Sequence, residues 1–145
     1  MKDFQAKSFH RIVVGIDGSP SSGATFRWAA NQAKLTGSSL EVLTTWQWPQ
    51  SYGWALPFPS DFDPRAETAN DVNRVVKAGQ DAEPEVVVHT HIVEGHPAPT
   101  LVEASHEADL LVVGSKGYGE FAGMLLGSVS EYCVHHARCP VVVIR

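Results

Sequence analysis

At 145 residues, with 43% apolar and 19% charged residues, the chain has the size and composition of one globular domain rather than of a disordered or membrane protein. No apolar run approaches the roughly 20 residues that cross a bilayer, and Met1 to His10 lacks the apolar stretch of a signal peptide, so a cytoplasmic protein is expected. A net charge of −5 speaks against sequence-independent nucleic-acid binding, yet leaves room for a local phosphate site built from backbone amides.

Residues 11–16 (RIVVGI) are short, β-branched and apolar, the pattern of a strand buried on both faces. Asp17-Gly18-Ser19-Pro20 then turns the chain, and the alanine-rich stretch from Ser21 to Thr36 reads as a helix closed by Gly37. Leu40 to Trp46 is a second strand. Residues 47–65, with four prolines and five aromatics, are too irregular for a strand or helix and too apolar for a plain linker. Asp63-Pro64 has the form of an N-cap and first helical residue, and the helix is expected to run to Lys77 and stop at Gly79. A third strand follows over Glu85 to Val93, a helix over Pro97 to Glu107, a fourth strand over Asp109 to Gly114, a last helix ending at Ala137, and a fifth strand over Val141 to Ile144.

Strands alternating with helices, with no repeat and no boundary, predict a single α/β domain over 1–145: an open parallel five-stranded sheet with helices on both faces. Ligands of such sheets lie beyond the C-terminal strand ends where the winding reverses. The residues alone leave the strand order open. In the order 3-2-1-4-5 the reversal falls between strands 1 and 4, next to Asp17 and Gly114.

The chemistry concentrates after the fourth strand. Gly114, Gly117, Gly119, Gly123 and Gly127 fall within fourteen residues, a density that allows positive φ and close approach of backbone to a ligand. Ser128 and Glu131 have the spacing of a capping box, which starts the last helix at Ser128. A helix N-terminus beside a glycine loop and two hydroxyls suits a phosphate. The sequence contains no G-x-x-x-x-G-K-[ST], which excludes a P-loop. Gly117-Tyr118-Gly119-Glu120-Phe121-Ala122 fits a dinucleotide fingerprint only in letters, because it follows the wrong strand and lacks the later acidic residue.

Gly114-x-x-Gly117, nine further residues and Gly127-Ser128 resemble the G-2x-G-9x-G-[S/T] ATP motif of the universal stress protein family. Asp109-Leu-Leu-Val-Val-Gly-Ser-Lys-Gly, Leu125-Leu-Gly-Ser-Val-Ser, His136-Ala-Arg-Cys-Pro-Val-Val-Val and Ile12-Val-Val-Gly-Ile-Asp-Gly-Ser extend the likeness over essentially the whole chain. The resemblance implies the order 3-2-1-4-5, a Rossmann-like fold of the adenine nucleotide alpha hydrolase type, and ATP as ligand, with or without Mg2+. It implies that Asp17 faces the nucleoside, that Gly15 lets the backbone approach it, and that Gly114, Gly117 and Gly119 wall the ribose and phosphates. Ser115 and Lys116 belong to the same loop. Gly127, Ser128, Val129 and Ser130 would supply amide and hydroxyl donors. It also implies a homodimer through the C-terminal strand. Asp17 has a competing use as a turn or cap residue, and the aromatics of Trp46 to Arg65, where the adenine-side loop would lie, either stack on a base, cover the pocket or form a lid on the domain's own core.

His89 and His91 share one strand face, but their spacing to any carboxylate or cysteine does not make a metal site. His135 and His136 suit the C-terminal end of a helix. Cys133 and Cys139, without C-x-x-C or Cys/His spacing, are expected as small reduced thiols. No G-x-S-x-G elbow supports a serine hydrolase. The functions in play are an ATP-occupancy module in stress, a slow ATP hydrolase or nucleotidyl transferase, and an interaction protein that has lost its nucleotide. With Lys116 as the one basic residue of the loop, phosphoryl transfer lacks its charge-neutralising groups, so binding is the reading favoured over catalysis.

Overall fold

The β-branched run after His10 forms β1 (Arg11–Gly15), in which Ile12, Val13 and Val14 are almost wholly buried. In the computed structural model, which describes residues 8–49, 58–116 and 126–145, there follow α1 (Ser22–Thr36), β2 (Ser39–Trp46), α2 (Pro64–Ala82), β3 (Val88–Glu94), α3 (Pro97–Ser105), β4 (Leu110–Gly114), α4 (Ser128–His136) and β5 (Val141–Ile144). Every strand pair is parallel and the order is β3-β2-β1-β4-β5, as the family resemblance implies.

Side-chain alternation on the central strands splits the core in two. Ile12, Val14, Leu40 and Val42 meet Phe26, Ala29 and Val72 beneath α1 and α2. Val13, Leu43, Leu111 and Val113 meet Leu101 and Cys133 beneath α3 and α4. Asp109 ties the strand starts together, its Oδ2 accepting from the amides of His10 and Arg11 at 2.9 and 3.1 Å. Gly37 ends α1 at φ 71°, its amide donating to the Ala33 carbonyl. Asp63 caps α2 by accepting from the Ala66 amide at 3.1 Å, with Pro64 as first helical residue.

Three expected boundaries move by two residues or more. Gly79 does not stop α2, which continues to Ala82. It sits inside the helix because a Cβ there would collide with the Phe26 ring of α1. β3 begins at Val88 rather than Glu85, because the Val86 amide turns back to the Glu83 carbonyl at 3.2 Å; Glu83 and Glu85 hold Lys34 at 3.1 and 2.9 Å. α3 ends at Ser105, whose Oγ accepts from the Arg138 amide at 2.9 Å. Among the described residues no helix is long and apolar enough to cross a membrane.

Candidate functional site

β1 and β4 are neighbours, and the chain leaves them toward opposite faces of the sheet, to α1 and to α4. Their C-terminal ends open on a cavity of about 380 Å³, within the size range of small-molecule pockets. The winding reversal argued from sequence therefore coincides with a real hollow.

The wall after β1 is rich in hydroxyls. Asp17 Oδ1 accepts from the Ser19 amide at 2.9 Å and from Ser22 Oγ at 3.1 Å, across a turn in which Gly18 takes φ 79°. Asp17 thus shapes the entry to α1 while also lining the cavity. Ser19 and Ser21 share a 3.1 Å hydroxyl contact, and Ser21 Oγ donates across to the Lys116 carbonyl at 3.3 Å. Gly15 also lines the space, but a Cβ there would lie 2.8 Å from Leu101 Cδ1. Its missing side chain makes room for α3.

The wall after β4 is held by backbone. The Ser115 amide donates to Ile144 at 2.7 Å, and the Ser115 carbonyl accepts from the Gly127 amide and, at 3.2 Å, from Ser130 Oγ. Ser130, 1% exposed, also approaches the Gly127 carbonyl at 3.0 Å. The Gly127 amide and the Ser130 hydroxyl are therefore committed within the protein. The expected capping box is not formed: Gly127 is the N-cap of α4, without a side-chain cap hydrogen bond, and Ser128 is the first helical residue. The amides of Val129 and Ser130 lie in the first turn, where a helix offers its amides no acceptor of its own. Glycine serves proximity here rather than unusual φ, since neither Gly114 nor Gly127 takes a positive φ.

Gly15, Asp17, Gly114, Ser115, Lys116, Gly127, Ser128, Val129 and Ser130 all line this one cavity; Gly117 and Gly119 lie outside the described residues. Ser19, Ser21, Ser22, Thr25 and Thr45 line it too and were not singled out from sequence, while Trp46 and Gln47 come from the stretch expected on the adenine side. The cluster Ser19-Pro20-Ser21-Ser22 after a buried strand was the available signal. Pro97 and Leu101 close the end near β2. Lys116 is the only cationic side chain among the described lining residues.

The irregular stretch after β2 is described at its two ends. Trp46 meets Trp48 edge-on with centroids 6.0 Å apart, Trp48 lies 6.3 Å from Phe62, and Phe62 stacks on Phe58 at 4.8 Å. Trp48 is 53% and Phe58 41% exposed, so these rings pack on one another beside the cavity and do not cover either core.

His89 and His91 do share a face, and both turn to a carboxylate that sequence spacing hid: Glu41 of β2, at 3.2 and 3.0 Å. Burial alone would raise the Glu41 carboxyl. Hydrogen bonds from His91 and His89, with the Arg11 charge, outweigh it and hold the group below its ordinary value. Cys133, under α4, is pushed up to about 11, first by burial and then by Cys139, which leaves a poor nucleophile. Neither cysteine is in a disulfide. His135 and His136 occupy the last turn of α4, with His136 against Tyr132. Among the described residues no group of three or more His, Cys, Asp or Glu side chains is placed to hold a metal ion.

The profile of the Universal stress protein family matches residues 8–145. Universal stress protein Rv1996 of Mycobacterium tuberculosis is 40% identical over 92% of this chain, which spans 43% of that relative's length. Among solved structures, UspA of Lactobacillus plantarum superposes with a TM-score of 0.76 at 24% identity, over 97% of this chain and 100% of that one. A universal stress protein solved in complex with cAMP gives 0.66 at 29%, over 96% and 98%. An Arabidopsis thaliana family protein with AMP bound gives 0.62 at 22%, over 93% and 90%. A sequence profile covering nearly every residue, a curated relative at 40% identity and the same sheet order agree, and this chain belongs to the universal stress protein family.

Proposed function

We propose that the chain binds ATP in the cavity between the ends of β1 and β4, and that occupancy, rather than turnover, is what it contributes to a stress response. The observation that carries this reading is the convergence of Gly114, Gly127 and Ser128 of the motif with Asp17 on one hollow. Adenine nucleotides in related structures support the ligand class. In this reading the base and ribose lie toward Asp17, Thr45 and Trp46, and the phosphate chain starts against the first turn of α4. Mg2+ would offset the repulsion between Asp17 and a nearby phosphate.

A transferring phosphorus needs neutralising groups and a positioned base, and Lys116 is the single cation on the described walls. Turnover is accordingly far below the ~10 s⁻¹ of dedicated enzymes. The edge strand β5 carries no lysine or proline and is only half-buried throughout, which supports pairing with a second copy in the cytoplasm. Nucleotide analysis of an acid extract of the purified protein tests the reading, followed by calorimetry of the stripped protein with ATP and GTP. Adenine nucleotide in the extract, and ATP binding well ahead of GTP, is the expected result. A stripped, folded sample that binds neither would overturn it.

A further inference from the structure

Beside the cavity, between the first turns of α1 and the ends of β4 and β5, lies a second hollow of about 270 Å³ edged by Arg145. Ser21, Thr25, Ser115 and Lys116 line both spaces, so the two are separated by one shared partition. Across it runs the exposed 3.3 Å hydrogen bond from Ser21 Oγ to the Lys116 carbonyl. That bond nets only about 1 kcal/mol, whereas Ser115 in the same partition is held by Ile144, Gly127 and Ser130.

Charge gives the pair of spaces a direction. The end of the cavity near β2 is lined by Thr45, Trp46, Gln47, Pro97 and Leu101, none of them cationic. Among the described residues lining either space the cations are Lys116 and Arg145, and both border the second hollow. The buried hydroxyl residues Thr25 and Ser115, 2% and 7% exposed, belong to the lining the spaces have in common. Each added phosphate brings more negative charge, and a guanidinium fits phosphate oxygens in a planar, two-pronged way that an amide cannot.

Resting on the nucleotide reading above, we infer that the hollow edged by Arg145 receives the terminal phosphates of a nucleotide whose base and sugar occupy the main cavity. Arg145 is then the residue that distinguishes a triphosphate from a monophosphate. Lys116, bordering both spaces, lies where the phosphate chain passes from one to the other.

Calorimetry of the nucleotide-stripped full chain with AMP and with ATP tests this, using Arg145→Gln and Arg145→Lys. In Arg145→Gln, ATP affinity falls about tenfold while AMP affinity stays within about twofold. Arg145→Lys retains part of the difference, and rising salt narrows the ATP-to-AMP ratio of the wild-type protein but not of Arg145→Gln. An unchanged melting temperature establishes that both variants are folded. Equal losses for AMP and ATP, or no loss for either, would overturn the assignment of Arg145 while leaving the cavity as a nucleotide site. Absence of AMP and ATP binding in the wild-type protein would overturn the nucleotide reading, and this assignment with it.

Discussion

At the exit of β1 a carboxylate is the acceptor, and Asp17 gathers the Ser19 amide and the Ser22 hydroxyl. At the exit of β4 a backbone carbonyl takes that part, and Ser115 gathers the Gly127 amide and the Ser130 hydroxyl. The first wall is thus organised by a side chain that also faces the cavity, so a substitution there touches turn and ligand together. The second wall is organised by main chain and a buried hydroxyl, and the first turn of α4 lines the cavity beside it. Turn stability and ligand recognition are coupled on one side of the hollow and separable on the other.

The largest expected effect tests whether the hollow is filled by nucleotide at all. With a Kd near micromolar, millimolar ATP is about 1,000 Kd and stabilises the folded state by roughly 4 kcal/mol. At about 2–4 °C per kcal/mol for a chain of this size, the stripped protein should melt on the order of 10 °C higher with ATP. Replacing Gly114 and Gly117 together by valine should remove most of that rise, with the apo variant still folded by circular dichroism. An identical melting temperature with and without ATP would leave both walls without a nucleotide ligand.

Next comes Ser130→Ala. Both carbonyls that its hydroxyl serves keep another donor, since Ser115 still accepts from the Gly127 amide and Gly127 from the Glu131 amide. The loss should be about 1 kcal/mol, or roughly 2–4 °C, with the ATP-induced rise intact. A variant of normal stability that no longer responds to ATP would show that the Ser130 hydroxyl serves the phosphates and would break the contrast between the walls. Asp17→Asn keeps a side-chain acceptor for the turn, so its apo stability should change by only a few tenths of a kcal/mol. Removing the charge from the coupled wall should nonetheless shrink the ATP-induced rise by about 2 °C, read in the same melts.

Element order and type were legible because the buried strands are short β-branched runs and the caps at Gly37 and Asp63 use local chemistry. What was illegible depends on partners distant in sequence. Gly79 has the look of a helix stop, and only the Phe26 ring packed against it explains a glycine in mid-helix. Gly15 looked like a concession to a ligand, yet Leu101 needs the space. Ser128 has capping-box spacing with Glu131, but the clip from Gly127 to Ser115 makes Gly127 the cap. The glycine loop after β4 and the start of α4 stood out by glycine density and helix-start chemistry, and the family resemblance added the motif and its ligand. The hydroxyl wall after β1 was passed over because serines beside a proline read equally well as an ordinary turn.

The smallest effect comes from a region belonging to neither wall, which makes it the reference for both. Glu41 is held below its ordinary value of 4.5 by His91, His89 and Arg11 against the opposing pull of burial. A carboxyl with a depressed folded-state pKa contributes stability that is present above its unfolded-state pKa and lost as pH falls through the folded-state value. Melting temperature should therefore drop on acidification below about pH 4.5, and Glu41→Gln should lose part of that slope while being less stable than wild type near neutrality. Because Glu41, His89 and His91 are not among the residues lining the cavity, the ATP-induced rise of Glu41→Gln at neutral pH should equal that of the wild-type protein. A reduced rise would mean that the β2–β3 face is coupled to the hollow, and that the division between a coupled and a separable wall misses a third contributor.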